Sequence, residues 1–307
     1  KLITLLKNET FDVVQFSGIE LGSYLSVIQA QGTSAKIIYD ALNAEADLQH
    51  VIYTIDRQSI KRLPIAIYSY LQAQRIKRFE EWLCKSVDAV IAVSDEDKAI
   101  LVQYRGAAIF VMSNGIFVDE YTPPSESNRH TNQLVYTGKM DYRPNVDAIE
   151  WFASSILPHI QNQLPDTELT IVGRNPHPRI QPYAEQGQIT VTGWVDSVQP
   201  YLHEATVFIV PLRMGSGTRL KILEAMASGC AIVSTSIGAA GINAEVKGAM
   251  QIADNEDDFV QSVVSLLRDG KIRQQLGQAA ITKVRQYYDW SALIPQLLAA
   301  YKEIGLG

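Results

Sequence analysis

The sequence predicts an α/β protein built from two doubly wound parallel-sheet domains. Three observations carry that prediction. Short apolar, β-branched runs alternate with helical patterns along most of the 307 residues, as strands buried on both faces and separated by helices do. The length suits two domains rather than one. A stretch containing Asn-Gly, Pro-Pro and a Ser/Glu/Asn segment, residues 114–132, separates two series of such runs and reads as a linker.

The first series predicts strands at 12–16, 36–40, 89–94 and 109–113. The second predicts strands at 134–138, 168–173, 188–193, 207–211, 231–235 and 249–252. Four strands are few for a doubly wound domain. The first domain, 1–122, therefore reads as incomplete at its N-terminus, and Lys1 opens directly into an amphipathic segment. The second domain is expected over 123–288. Residues 289–307 are expected as a C-terminal helix, closing the second domain or packing near the domain junction. Asp289 and Trp290 mark the break before it.

Residues 57–85 read as a long helical stretch broken near Pro64, with Arg57, Lys61, Arg62, Arg75, Lys77, Arg78 and Lys85 against few acids. Such a face is either simply solvated or meets anionic lipid head groups or a phosphorylated acceptor.

Composition narrows the function classes. A hydrophobic fraction of 47% with 20% charged residues is that of a soluble globular protein. A net charge of −6 argues against a nucleic-acid partner, which needs a positive field. Cys84 and Cys230 stand in neither a metal-ligand nor a redox spacing, which suits a reducing, cytoplasmic setting. No apolar run is long enough to span a bilayer and no signal peptide is visible. The five histidines fit no acid/base constellation of the kind an epimerase needs.

The most informative segment runs from Val207 to Gly229: a buried strand, a glycine loop, a helix expected to open near Thr218, and a stop at Gly229. A glycine loop feeding a helix N-terminus offers backbone N–H groups and a positive dipole end to an anion. Gly215 and Gly217 admit close approach, while Arg213, Arg219 and Lys221 add positive charge, a combination suited to a diphosphate. Glu224, on the same helix as Lys221, could accept hydrogen bonds from the vicinal hydroxyls of a ribose. Three further strand ends repeat the theme at Gly138-Lys139, Gly173-Arg174 and Gly193-Trp194-Val195. At the first, a helix is expected from Asn145 or Val146, with Asn145 as its N-cap. In open α/β sheets ligands gather outside the carboxyl ends of strands.

Gly215-Ser-Gly-Thr-Arg-Leu-Lys-Ile-Leu-Glu-Ala-Met-Ala-Ser-Gly229 resembles the donor-site segment of glycosyltransferase family 4, the group 1 glycosyltransferases of GT-B fold. Gly138-Lys-Met with Pro144-Asn145-Val-Asp, Ile171-Val-Gly-Arg174 and Thr192-Gly-Trp-Val-Asp196 agree in order. Asp88-Ala-Val-Ile-Ala-Val-Ser94, Ser113-Asn-Gly-Ile116 and Asp40-Ala-Leu-Asn-Ala-Glu45 resemble first-domain segments. The resemblance implies two Rossmann-like domains facing a cleft. It also implies retaining transfer from a nucleotide-diphosphate sugar to a glycan or lipid-linked acceptor, with no essential metal. Glu224 matches the second glutamate of the family's Glu-x7-Glu pair, which holds the ribose, and Lys139 its basic residue on the diphosphate. Fixed positive groups would stabilise the leaving diphosphate. The residues expected to carry the chemistry are Glu224, Arg219 and Lys139. Those expected to hold the donor are Gly138, Arg143, Arg174, Trp194, Val195, Gly215, Ser216, Gly217, Thr218 and Lys221.

The sequence departs from the family pattern at several points. Ser216 stands where the first glutamate falls, as in relatives with the same loop. Leu42 stands where a first-domain histidine is frequent. The second lysine of the diphosphate pair has no clear match, Arg143 being one position off. The family's N-terminal glycine loop should precede Lys1. These departures keep a second reading in view: a non-catalytic nucleotide-sugar-binding or partner subunit of the same fold. The expected location is cytoplasmic, with peripheral contact at the inner face of the membrane through residues 57–85.

Overall fold

A computed structural model describes residues 1–57, 63–105, 108–121, 123, 129–185, 187–215 and 218–306. The chain forms two compact units, one of Lys1–Asn114 with Leu293–Gly307, the other of Gly115–Gly215 with Arg219–Ala292.

The first unit holds four parallel strands, β1 (Val13–Ser17), β2 (Lys36–Ala41), β3 (Ala89–Ala92) and β4 (Ile109–Val111), ordered β1-β2-β3-β4. Successive residues on β2 and β3 serve opposite faces. Ile37, Tyr39, Val90 and Ala92 join a core with Phe16, Leu25, Leu83 and Leu101, while Ile38, Ala89 and Ile91 face the other way. Both faces are apolar, so the strands read as unbroken hydrophobic runs. What covers the second face corrects one expectation. The helix Trp290–Glu303 does not close the second unit: its Leu297 and Tyr301, with Ile304 just beyond, pack on Ile38, Ala89 and Ile91. Tyr301 also donates to the Gln15 side chain at 2.6 Å. The apolar stripe of this helix finds the uncovered face of a sheet far back in the sequence.

In place of one broken helix over 57–85, helices Glu45–Asp56 and Leu63–Ser86 flank a segment whose Lys61 and Arg62 lie outside the described residues. Pro64 stands in the first turn of the second helix, where its missing N–H costs nothing. Within the helical layer Glu80 is completely buried and accepts the Glu45 amide at 2.8 Å. Asp97, also buried, accepts the Ala44 amide at 2.8 Å. Together the two carboxylates pin the turn after β2.

The second unit holds six parallel strands: β5 (Gln133–Thr137), β6 (Glu168–Val172), β7 (Ile189–Val191), β8 (Val207–Val210), β9 (Ile232–Ser234) and β10 (Gln251–Ile252). Their order is β10-β9-β8-β5-β6-β7. All ten expected strands are present, most of them shortened by a residue or two at one or both ends. Alternate residues again split between two cores. Leu134, Tyr136, Ile171 and Ile209 pack with helices Arg143–Trp151 and Glu256–Arg268. Val135, Val172, Phe208 and Ile232 pack with Leu220–Ala227 and Gly270–Tyr288.

The start of the expected linker is tied down rather than loose. Ile116 and Val118 are buried. Ile116 pairs with Asp289, whose carboxylate accepts the Val118 amide at 3.0 Å. Asp289 also stands, with extended backbone, at the C-cap of the helix Gly270–Tyr288, and its carboxylate accepts the Ser291 amide at 2.8 Å. Thr122 and residues 124–128 of the linker lie outside the described residues.

Candidate functional site

The strand order places a topological switch between β5 and β8. From β5 the chain moves to β6 and β7 on one side, and from β8 to β9 and β10 on the other. Helices therefore leave the two central strands towards opposite faces, and a crevice opens at their carboxyl ends. The two loops there are the one after β5, beginning at Gly138, and the one after β8, reaching Arg219.

Close backbone approach requires the glycines at the first loop. A β-carbon on Gly173 would overlap the Gly138 carbonyl oxygen. One on Gly138 would lie 2.8 Å from both the Asn145 amide nitrogen and the Lys221 Nζ. The ladder continues past the strand ends, with the Gly138 amide on Val172 O and the Met140 amide on Arg174 O, both 2.9 Å. The helix opens at Arg143 rather than Asn145 or Val146, with Tyr142 in the N-cap position and Pro144 at the second turn residue. Proline presets the helical φ and needs no N–H there. This moves Asn145 from the expected cap into the helix and frees its side chain. Its Nδ2 donates to Lys139 O at 2.9 Å, and its Oδ1 accepts from the Tyr136 hydroxyl at 2.6 Å and from Lys221 Nζ at 3.2 Å.

At the second loop the helix opens at Leu220, two residues later than expected, with extended Arg219 as its N-cap. The Arg219 guanidinium carbon lies 3.1 Å from where a Gly215 β-carbon would stand, so a side chain at 215 would strike it. Lys221 reaches back across the crevice to β5. Its Nζ donates to the Tyr136 hydroxyl at 2.9 Å and stands 4.0 Å from the centre of that ring. Burial, then the Arg219 charge, push the Lys221 amine down to about 7, against a smaller opposing pull from Glu224. One turn on, half-buried Glu224 accepts a long 3.4 Å hydrogen bond from Tyr121. Burial raises the Glu224 carboxyl and, with Glu224 beside it, pushes the Tyr121 hydroxyl up to about 12. The helix ends as expected at Gly229 (φ 66°), with Gly229 N on Met226 O and Cys230 N on Ala225 O.

The structure thus brings Gly138, Lys139, Lys221, Arg219, Gly215 and Glu224 around one switch point. Lys139 is exposed and pairs with Asp141 at 3.4 Å. Arg143 is half-buried at the head of its helix, Thr218 is buried, and Arg174 is exposed after β6. Trp194 is 68% exposed beyond β7. That end is two strands from β5, about 10 Å at ordinary strand spacing, and Val195 packs into the core. Ser216 and Gly217 lie outside the described residues. Arg213 is committed elsewhere, holding Asp147 through two hydrogen bonds of 3.0 and 2.8 Å and covering the Trp151 ring. Tyr136 and Tyr121 escape a reading of motifs. A tyrosine inside a buried strand does carry a signal, because its hydroxyl must find a partner.

A six-stranded parallel sheet with basic, glycine-bearing loops at its switch point defines a doubly wound α/β domain. Residues 131–269 match the family "Glycosyl transferases group 1". A phosphatidyl-myo-inositol mannosyltransferase of Mycolicibacterium smegmatis is 25% identical over 223 residues, 70% of this chain and 57% of that protein. The chain therefore spans little more than half of that relative. Among solved structures, sucrose-phosphate synthase from Thermosynechococcus elongatus superposes with a TM-score of 0.74 at 17% identity, covering 96% of this chain and 74% of that one. Anabaena HepE, solved in complex with UDP, gives 0.70 at 13% identity, covering 98% and 81%. The parallel α/β architecture is that of GT-B glycosyltransferases.

Proposed function

We propose that this chain transfers a sugar, with retention of configuration, from a nucleotide-diphosphate donor to a glycan or lipid-linked acceptor. One observation carries the reading: Lys221 and Arg219, at the head of the helix after β8, stand at the same switch point as the Gly138-Lys139 loop after β5. Backbone amides and cations there suit a diphosphate, and their charge would stabilise it as a leaving group. Lys139, Arg219 and Lys221 supply charge that a divalent ion otherwise brings, so the reading requires no metal. Glu224, one turn from Lys221, would accept the ribose hydroxyls, and the Gly193–Val195 end would meet the base. The UDP complex of HepE and the lipid acceptor named in the mycolicibacterial relative support the donor and acceptor classes.

The test is calorimetric titration with UDP, GDP and ADP, followed by transfer assays with the matching sugar nucleotides. At least one nucleotide should bind, and Glu224→Ala should weaken it tenfold or more, roughly 1.4 kcal/mol. Silence with all three would refute the donor site. Binding without transfer would favour the non-catalytic reading.

Peripheral contact with the inner face of the membrane is part of the proposal. On helix Leu63–Ser86, Ile65, Ile67, Tyr68 and Leu71 are exposed, and Arg75, Lys77 and Arg78 are exposed further along. Apolar groups beside cations suit an anionic lipid surface. No helix among the described residues is long and apolar enough to cross a membrane. Flotation with phosphatidylglycerol vesicles, lost in Arg75→Glu/Arg78→Glu, checks the contact.

A further inference from the structure

We infer that Lys221 takes up a proton when a nucleotide diphosphate binds, making donor affinity rise as pH falls towards neutrality. This rests on the donor-site reading above and deepens it.

The geometry around the amine carries the inference. Lys221 Nζ meets two neutral oxygens, the Tyr136 hydroxyl at 2.9 Å and Asn145 Oδ1 at 3.2 Å, and one aromatic face. Both oxygens serve each other as well, since Tyr136 donates to Asn145 at 2.6 Å, while the Asn145 amide nitrogen is held by Lys139 O. The pair cannot turn to offer anything more negative. Tyr136 is fully buried, and burial lifts its hydroxyl far above the range where it would ionise.

The charged groups around the crevice leave the amine poorly compensated. Arg219, from the cap of the same helix, opposes a second cation. Glu224 favours one but also accepts from Tyr121. From the other loop, Lys139 pairs with Asp141 and Arg143 brings positive charge, and Arg213 holds Asp147 on the intervening helix. Among the described residues no carboxylate stands within ion-pair distance of Lys221. Such an amine is partly neutral in the empty site, its affinity for a proton lowered to about 7. A diphosphate laid over the Gly138 and Gly215 loops supplies the missing negative charge and draws a proton from the buffer.

Calorimetry of UDP at pH 8 in Tris and in HEPES, whose ionisation enthalpies differ, reads this directly. With the free amine near 7, about 0.9 proton should be taken up per UDP at pH 8 and about 0.5 at pH 7. Affinity should fall about 50-fold from pH 7 to pH 9. Lys221→Arg stays charged throughout, so it should bind with no uptake and a flat profile. Lys221→Met should bind weakly at every pH. GDP and ADP, titrated alongside, replace UDP as probe if they bind and UDP does not. Binding with the same heat in both buffers would overturn proton uptake and leave the donor site standing. No binding by any of the three would overturn both.

Discussion

Glu80 offers a test of the electrostatics of the first unit. It is completely buried, one oxygen accepts the Glu45 amide at 2.8 Å, and the other has no hydrogen-bond partner among the described residues. Burial pushes its carboxyl from 4.5 to about 7, in spite of the backbone hydrogen bonds from Glu45 and Ala46 that favour the anion. The folded state then holds a proton that the unfolded chain releases. Stability contributed by this group is fully present below pH 4.5 and is lost as pH rises through 7. A tenfold change in proton affinity corresponds to about 1.4 kcal/mol. Between pH 5 and pH 8 this single group should remove about 2.5 kcal/mol from the first unit. Glu80→Gln cannot ionise, and its carbonyl can still accept the two amides. Its new amide hydrogens bring a pH-independent cost of about 1–3 kcal/mol if left unpaired. The discriminating quantity is therefore the difference in stability between pH 5 and pH 8, wild type against variant. Urea titrations followed by circular dichroism, with hydrogen exchange in helices Glu45–Asp56 and Leu63–Ser86 assigning the transition to this unit, measure it. The variant should lose about 2.5 kcal/mol of pH dependence. An unchanged pH dependence would show that Glu80 ionises normally in its buried position.

Two further outcomes follow from the second unit. Gly138→Ala places a methyl 2.8 Å from Lys221 Nζ and Asn145 Nδ2; it should weaken nucleotide binding about tenfold while the melting temperature stays within a few degrees, as read by calorimetry and thermal scanning together. Arg129 donates to Ala205 O at 2.7 Å, Gly229 O at 2.9 Å and Ser228 O at 3.1 Å, gathering the carboxyl ends of helices Gln199–Glu204 and Leu220–Ala227; Arg129→Met should cost about 2–4 kcal/mol in urea unfolding through the carbonyls left unpaired.

The local elements were legible because local chemistry decides them. Apolar β-branched runs could bury both faces only as parallel strands, and all ten appear where the pattern places them. Gly229 ends its helix because the backbone there turns left-handed, at φ 66°. The glycine-bearing loops are likewise visible without any knowledge of packing. Helix starts were less legible. Asn145 looks like a cap, yet Arg143 and Pro144 begin the helix first, and the asparagine is left free to join Tyr136 and Lys221.

What the sequence by itself determined is the alternation of strand and helix, the family resemblance, and the loops rich in glycine and cations. Only the tertiary structure decided which of those cations converge. Arg213 and Lys221 look equivalent along the chain, but Asp147 holds one and Tyr136 with Asn145 receives the other. Likewise only folding could send the last helix to Ile38, Ala89 and Ile91, roughly 200 to 260 residues back in sequence. The physical reason is the same in both cases. Charge partners and apolar stripes are chosen by distance in space, through burial and the order of strands in a sheet, and those distances are set by residues remote in the chain.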